Sequence, residues 1–373
     1  MIMNIAELKA AVSQGQVEAT LRVELAKKEE KLSSNGNPYF EITLADFTGQ
    51  ETLRLWSNWS PYNRSPYDQV DSLKVPRVVD IKGIFYNKKP YGLDYKNLEI
   101  TAVEDEVEVE RFYMGSEGRQ KELQKSRDEA DSYVAGLKDP RLRALCEAFL
   151  KEYGDSFGRA AAAYQNHHAR IGGLLEHTVQ MMRAADALCG VYQNLNRDLL
   201  MAGVLLHDCG KIWETCAGTK SLVVVPQLKG ELMGHVTIGI EVINSLWRDL
   251  PKDGWEGMQP DSDHVRLHLV HLVASHHGEY EFGAPVKPKT PEAIVLHFVD
   301  NLDAKIEMMV SGWGQAAVVA TEISDWVKPL GHRLVKPLDK FQQHVEKSDQ
   351  FDSDMPDREL TKEVESEMEE EPS

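Results

Sequence analysis

A histidine and an aspartate stand side by side at His207-Asp208, followed by Cys209-Gly210-Lys211, directly after the apolar run Leu199 to Leu206. A neutral imidazole nitrogen and a carboxylate oxygen are both ligands for transition metals, so the pair has the chemistry of a metal site. One helix cannot wrap an ion with these two alone, because consecutive side chains point about 100° apart. Other segments must contribute. The candidates are His177 in Leu174-Leu175-Glu176-His177-Thr178, His235 in Gly234-His235-Val236-Thr237, the pair His276-His277 before Gly278, and Asp300 with Asp303 in His297-Phe298-Val299-Asp300-Asn301-Leu302-Asp303. The resulting set of His177, His207, Asp208, His235, His276, His277 and Asp300 exceeds what one ion takes. Two ions about 3.5 to 4 Å apart, bridged by a carboxylate and a water, would use them all, which is the arrangement that serves phosphoryl transfer.

Ten of the 13 histidines fall between His167 and His277, denser than helical cores need, since an unpaired buried imidazole is costly. Not all belong to the site. His264, His268 and His271 share a helix face at i, i+4 and i+7, and read as packing against or orienting the His276-His277 pair. The isolated His297, His332 and His344 read as satisfied or surface residues. Asp300 and Asp303, three apart on a helix, can both face inward; Asp300 is taken as the ligand and Asp303 as its support. His167-His168 suits either a contact to substrate phosphate or a helix start.

These residues lie in a region of helical period. After Asp139-Pro140, Leu142, Leu145, Cys146, Phe149 and Leu150 share one face, and everything to about Val345 reads as α-helical, punctuated by Gly172-Gly173, Asp198, Gly210, Gly234, Gly254, Gly278 and Pro291. The N-terminal third has a period of two instead. Phe40, Ile42 and Leu44 alternate with Tyr39, Glu41 and Thr43; a turn at Asp46 to Gln50 follows, then Leu53 and Leu55 alternate with Thr52 and Arg54. With Ala19 to Leu25, Val78 to Tyr86 and Leu98 to Val103 this makes about five strands, for which a small closed barrel is the natural architecture. Between the two regions, Glu104 to Tyr133 is charged and suits a connecting helix.

The expected architecture is therefore α+β and multidomain: a small N-terminal oligonucleotide-binding-type barrel over residues 1–103, a helical linker over 104–138, an all-α bundle over 139–345, and a tail over 346–373. The tail holds 12 acidic and 3 basic residues, half of the net charge of -18, and reads as disordered. The barrel region is balanced, with a locally basic stretch from Ser72 to Leu98. There Lys82, Phe85, Tyr86, Lys88 and Lys89 combine cations with aromatic rings on which bases of a single strand can stack. Tyr39, Trp56, Trp59, Tyr62, Tyr91 and Tyr95 lie in or beside the same region. No apolar run approaches the roughly 18 to 20 residues that cross a bilayer, which argues against an integral membrane protein. Met1 to Gln16 lacks a signal-like apolar core. Four scattered cysteines without a CxxC pair fit a reducing cytoplasm.

His177, His207-Asp208 and Asp300 occur in the order found in the HD-domain metal-dependent phosphohydrolases, and His235 with His276-His277 resembles the additional histidines of their two-metal members. The pattern narrows further. Asn37-Pro38-Tyr39-Phe40 and Thr43-Leu44-Ala45-Asp46-Phe47-Thr48-Gly49, joined to Gly172-Gly173-Leu174-Leu175-Glu176-His177-Thr178 and Ser275-His276-His277-Gly278, resemble the YhaM-type 3′-to-5′ exoribonucleases over roughly Val17 to Gln315.

The resemblance implies that Asp208 bridges two ions, with His177, His207 and Asp300 on one and His235, His276 and His277 on the other. It implies in-line attack of water on the terminal phosphodiester of single-stranded RNA, with single-stranded DNA as a further candidate substrate. Lys211 would then bind a phosphate oxygen or stabilise the leaving group. The nitrogen-rich ligand set suits manganese, iron or cobalt better than magnesium, and the resemblance favours manganese. The competing readings are a phosphohydrolase of small or cyclic nucleotides, a non-catalytic RNA-binding scaffold, and a diiron oxygenase. Two-metal enzymes that cleave cyclic dinucleotides usually carry a glutamate where this chain has Gly173, which points away from that substrate.

Overall fold

The computed structural model describes residues 2–57, 65–88, 92–163, 170–214, 222, 226–315 and 318–338. The described residues up to 336 form one compact unit. The fold is mixed α/β, with its helices concentrated in the C-terminal part.

The N-terminal sheet is built from β2 (Val17–Leu32), β3 (Pro38–Asp46), β4 (Gly49–Trp56), β5 (Arg77–Lys88) and β6 (Gly92–Ala102), in the order β4-β3-β2-β5-β6, while the short β1 (Ile2–Met3) pairs parallel with β2. β2 is longer than its alternating run suggests because it serves two partners. Its first half pairs with β5 (Val17↔Phe85) and its second with β3 (Leu32↔Pro38), and an irregularity between Leu25 and Lys27 marks the change. The predicted hairpin is present, with Phe40 opposite Leu55 and Ile42 opposite Leu53, all four side chains buried. The hydrogen-bonded path is open, whereas the strand pattern predicts a closed barrel: among the described residues no ladder joins β4 to β6. At that seam the Tyr95 hydroxyl of β6 approaches the Trp56 backbone of β4, so a side chain stands where a ladder would run.

Helix α1 (Ile5–Gln14), absent from the sequence reading, starts at an Asn4 cap whose partner is Glu7 and lays Ile5, Leu8 and Val12 on the sheet core, and a short α2 (Pro66–Asp71) lies between β4 and β5 with Val70 buried in the same core. The connection after the sheet is two helices rather than one, α3 (Glu106–Met114) and α4 (Glu117–Ala135). They break at Gly115, whose φ of 80° favours glycine and whose missing side chain makes room for the Phe47 ring.

The helical part comprises α5 (Pro140–Phe157), α6 (Gly173–Val191), α7 (Arg197–Leu206), α8 (Leu228–Asp249), α9 (Ser262–Ser275) and α10 (Pro291–Gln315). Helix α7 is the centre of this bundle: every residue from Leu199 to Leu206 is buried, which is why it reads as apolar all round. The helical reading stops short of Val345. β7 (Val318–Ala320), β8 (Ile323–Val327) and β9 (His332–Val335) form a small antiparallel sheet, with Val327 and Leu334 packed against Gly312 of α10. Gly331, at φ 70°, turns β8 into β9.

The sheet and the bundle meet around Ala45, Ile171 and Leu222, with Phe47, Phe112 and Tyr113 packed alongside. There the Leu222 amide donates to the buried Glu24 carboxylate at 2.5 Å. Among the described residues no helix is long and apolar enough to cross a membrane.

Candidate metal centre

Five segments deliver the site. α6 presents His177 one turn after a left-handed Gly172 (φ 79°), where a side chain would collide with Leu123. α7 ends at His207, and Asp208 (φ -109°, ψ 11°) leads into a 3-10 turn over Cys209–Trp213. α8 is kinked at Gly234 (φ 69°, ψ 152°), immediately before His235. α9 ends at His276 with His277 after it, and Gly278 (φ 81°) leaves the space that the His297 ring occupies. α10 brings Asp300 and Asp303. Gly210 allows the 3-10 turn to lie against α8, since a Cβ there would stand 2.0 Å from the His235 carbonyl oxygen.

All seven sequence-predicted candidates converge. His177, His207 and Asp300 form one group, and His235, His276 and His277 another, each offering ligand atoms within 4.8 Å of one another. Asp208 lies between them. Its Oδ2 is 3.2 Å from His207 Nε2 and 3.9 Å from His177 Nε2, while its Oδ1 is 3.4 Å from His235 Nε2 and 3.5 Å from His276 Nε2. Asp300 Oδ1 is 3.3 Å from His177 Nε2. Lys211 Nζ sits 2.6 Å from Asp208 Oδ2, in a largely buried position.

The other face of each ring is tied to an acceptor. Nδ1 of His177 meets Asp303 Oδ2 at 2.6 Å, that of His207 meets the Val204 carbonyl at 2.8 Å, and that of His235 meets Glu214 Oε2 at 3.0 Å. His276 meets the Val273 carbonyl and His277 the Phe282 carbonyl, both at 2.7 Å. An acceptor at each Nδ1 directs the Nε2 of every ring inward, the arrangement of metal-ligating histidines. His235 Nε2 and His277 Nε2 face one another at 3.1 Å. Two imidazole nitrogens at that distance either share a proton or stand beside a cation. His207 Nε2, His276 Nε2 and Asp208 Oδ1 are buried without a hydrogen-bond partner of good geometry. Orphaned polar atoms of this kind are rare in a folded protein. The donor set therefore fits divalent transition metals.

The electrostatics follow from the same crowding. Burial opposes charge on His177, but Asp300 and Asp303 outweigh it and raise its pKa to about 9. Burial pushes His277 down to about 4, helped by the neighbouring His276 and His235, and it lowers His276 as well. Asp208 is held well below the usual carboxylate range: burial acts against this, and Lys211 and His207 overcome it. Asp300 is lowered in the same way by His177 and His207 against burial.

Two contributors escaped the sequence reading. Glu214 holds His235, but it lies in no pattern that distinguishes it from other glutamates. His297, read as isolated, donates from Nδ1 to the His276 carbonyl at 2.8 Å. His271 Nε2 accepts from the Lys289 amide at 2.9 Å, a packing role. His167 and His168 lie outside the described residues.

On the sheet, Lys82 and Lys88 are exposed and Tyr86 half-buried, with Lys96 Nζ 5.3 Å above the Tyr86 ring and Lys88 paired to Asp94 at 3.1 Å. Phe85 is not part of this face. It is fully buried in the sheet core, because adjacent strand residues point to opposite faces, and its ring is not available for stacking. Lys89 and Tyr91 lie outside the described residues. A second aromatic pair stands on the outer side of the hairpin, Tyr39 and Trp56, with centroids 4.7 Å apart and Trp56 38% exposed.

A helical bundle that gathers histidines and aspartates around a central His-Asp pair defines a class, and the chain matches the HD domain family over residues 174–305, which contain all seven residues of the cluster. Its curated relatives include three named 3′-5′ exoribonuclease YhaM. That of Geobacillus sp. (strain WCH70) is 33% identical over 280 residues, covering 74% of this chain and 79% of the relative. That of Bacillus subtilis (strain 168) is 30% identical over 309 residues, 81% and 92% respectively, and that of Shouchella clausii (strain KSM-K16) is 30% identical over 331 residues, 87% and 96%. No solved structure matches. The chain belongs to the YhaM-type family of HD-domain exoribonucleases, metal-dependent enzymes that act on phosphodiester bonds.

Proposed function

We propose that this protein is a cytoplasmic, metal-dependent 3′-to-5′ exoribonuclease that shortens single-stranded RNA at a two-metal site. The observation that carries the reading is the pair of imidazole groups facing the two oxygens of the buried Asp208, with each Nε2 directed inward. In this reading His177, His207 and Asp300 would hold one ion and His235, His276 and His277 the other, with Asp208 shared between the two groups, and manganese would be the first choice with iron or cobalt the alternatives. When bound, the ions supply Lewis acidity and a nucleophilic water at neutral pH.

The protein's own groups do the rest. Asp303, Glu214 and three backbone carbonyls fix the tautomer of the rings. Lys211, anchored on Asp208, has the charge to neutralise a phosphoryl oxygen of the scissile group. Residues 1–103 guide the strand through Lys82, Tyr86, Lys88 and the Tyr39 and Trp56 platform, in the manner of an oligonucleotide-binding module; 104–138 connect, 139–345 catalyse, and 346–373 form a separate acidic tail.

The test is hydrolysis of a 5′-labelled single-stranded RNA with added manganese, wild type against Asp208→Ala, with a DNA oligonucleotide of the same sequence in parallel. A ladder shortening from the 3′ end and lost in the variant is the expected result. If neither protein shortens the strand while two equivalents of metal are bound, the substrate is a small nucleotide instead.

A further inference from the structure

The metal cluster is not evenly buried. His177, His207, Asp208 and His276 are closed off from water, whereas His235, His277 and Asp300 are only half-buried and form the rim past which a substrate phosphate reaches the cluster. Directly after His277 the chain enters a 3-10 turn over Tyr280–Phe282, which ends at Gly283 with φ 89°. This turn is tied to the rim, since the Phe282 carbonyl oxygen lies 2.7 Å from His277 Nδ1. A main-chain oxygen makes that contact, so any residue type could supply it. The side chain needs another reason. The Phe282 ring is 65% exposed, joins none of the hydrophobic clusters, and among the described residues has no aromatic ring or cation against it. Tyr280 differs: its ring carries Lys287 Nζ at 5.5 Å, and that lysine is paired with Glu279.

We propose that Phe282 is the surface on which the base of the 3′-terminal nucleotide stacks, the nucleotide released at each turnover. The proposal rests on the exoribonuclease reading above. The base hangs from the nucleotide whose phosphate must lie at the cluster, so it falls within one nucleotide's length of the rim. The Phe282 ring falls within a similar distance, because its own backbone oxygen touches a rim histidine. The residue type fits the task as well. An enzyme that shortens a strand one nucleotide at a time has to accept every base in turn, and all bases share a π-face while differing in their hydrogen-bonding edges. Phenylalanine offers a face and no hydrogen-bonding group, so it grips each base and reads none.

The experiment is single-turnover removal of the last nucleotide from a 5′-labelled RNA by the full chain with manganese, at protein concentrations below saturation, for wild type, Phe282→Ala and Phe282→Trp. Two strands are compared, one ending in adenosine and one ending in an abasic ribose with its sugar and phosphate intact. Wild type is expected to prefer the adenosine end by roughly five- to 150-fold, the range that one base stacked on an aromatic ring spans. Phe282→Ala is expected to slow on the adenosine end to about its rate on the abasic end, so that the preference disappears, and Phe282→Trp is expected to keep it. The preference is a coupling between one side chain and one base, which a purely structural role would not move. A wild type indifferent to the terminal base overturns the proposal, as does an alanine variant slowed equally on both ends, which would place the effect in the metal cluster. If wild type shortens neither strand, the exoribonuclease reading itself falls, an outcome distinct from shortening both at one rate.

Discussion

The contact between His177 and Asp303 makes the argument about the metal cluster quantitative. His177 is fully buried, Asp303 is 13% exposed, and the Nδ1 to Oδ2 distance is 2.6 Å, a charge-assisted hydrogen bond. Such bonds contribute about 1.5 to 3 kcal/mol, against roughly 0.5 to 1.5 kcal/mol for a neutral one. Asp303→Asn keeps the shape and an acceptor but removes the charge, so it forfeits about 1.4 kcal/mol, or one decade in affinity. Asp303→Ala removes the acceptor as well and frees the ring to turn, which costs about two decades, in line with roughly 10- to 100-fold effects of such supporting groups on metal affinity. The assay is competition for manganese against a calibrated chelator, read beside RNA hydrolysis as metal is raised. Metal affinity should fall in the order wild type, Asn variant, Ala variant, and about ten times more metal should restore most of the Asn variant's activity. Affinities within two-fold of wild type for both variants would refute the reasoning, as would a loss of activity that extra metal does not recover.

Four further outcomes follow from particular contacts. Gly210→Ala drives a methyl group toward the His235 carbonyl at 2.0 Å and should destabilise the fold by about 3 kcal/mol, seen as a lower denaturant midpoint, with weaker metal binding. Trp56→Ala removes an exposed stacking surface worth roughly 1 to 3 kcal/mol per base, so KM for a long RNA should rise at least five-fold with kcat unchanged, whereas Phe85→Ala should lower thermal stability instead. Chelation should abolish hydrolysis and lower the melting temperature, since metal at 100 times its Kd contributes about 2.7 kcal/mol of stability. Asp139 is held below its ordinary 3.8 by Arg141 and backbone amides, which overcome partial burial, so its contribution is present above that pH and is lost as pH falls through the lowered value. Asp139→Asn should therefore cost roughly 3 kcal/mol at neutral pH, and urea midpoints of wild type and variant should converge in strong acid.

The seven residues of the cluster were legible in the chain because each stands in a local signal: a histidine or carboxylate at the end of an apolar run, beside a glycine, on a helix whose period places it inward. The hairpin at Tyr39 to Leu55 was legible for the same reason, since alternation is a property of neighbours in sequence. Phe85 shows the limit of treating a basic and aromatic stretch as one face, because in a strand the residue beside Tyr86 points the other way.

What only the tertiary structure decided is everything that depends on distant segments meeting. Glu214 became the partner of His235, 21 residues away, because Gly210 lets the turn lie against α8. His297 came to hold the carbonyl of His276 because Gly278 leaves room for its ring. The open seam between β4 and β6 and the small sheet after α10 likewise have no local signature. Hydrophobic period tells which side of an element is apolar, and a metal-ligand type tells what chemistry is on offer. Which neighbour covers that side, and which acceptor fixes the ring, is set by close packing among helices, a property that the chain acquires only once folded.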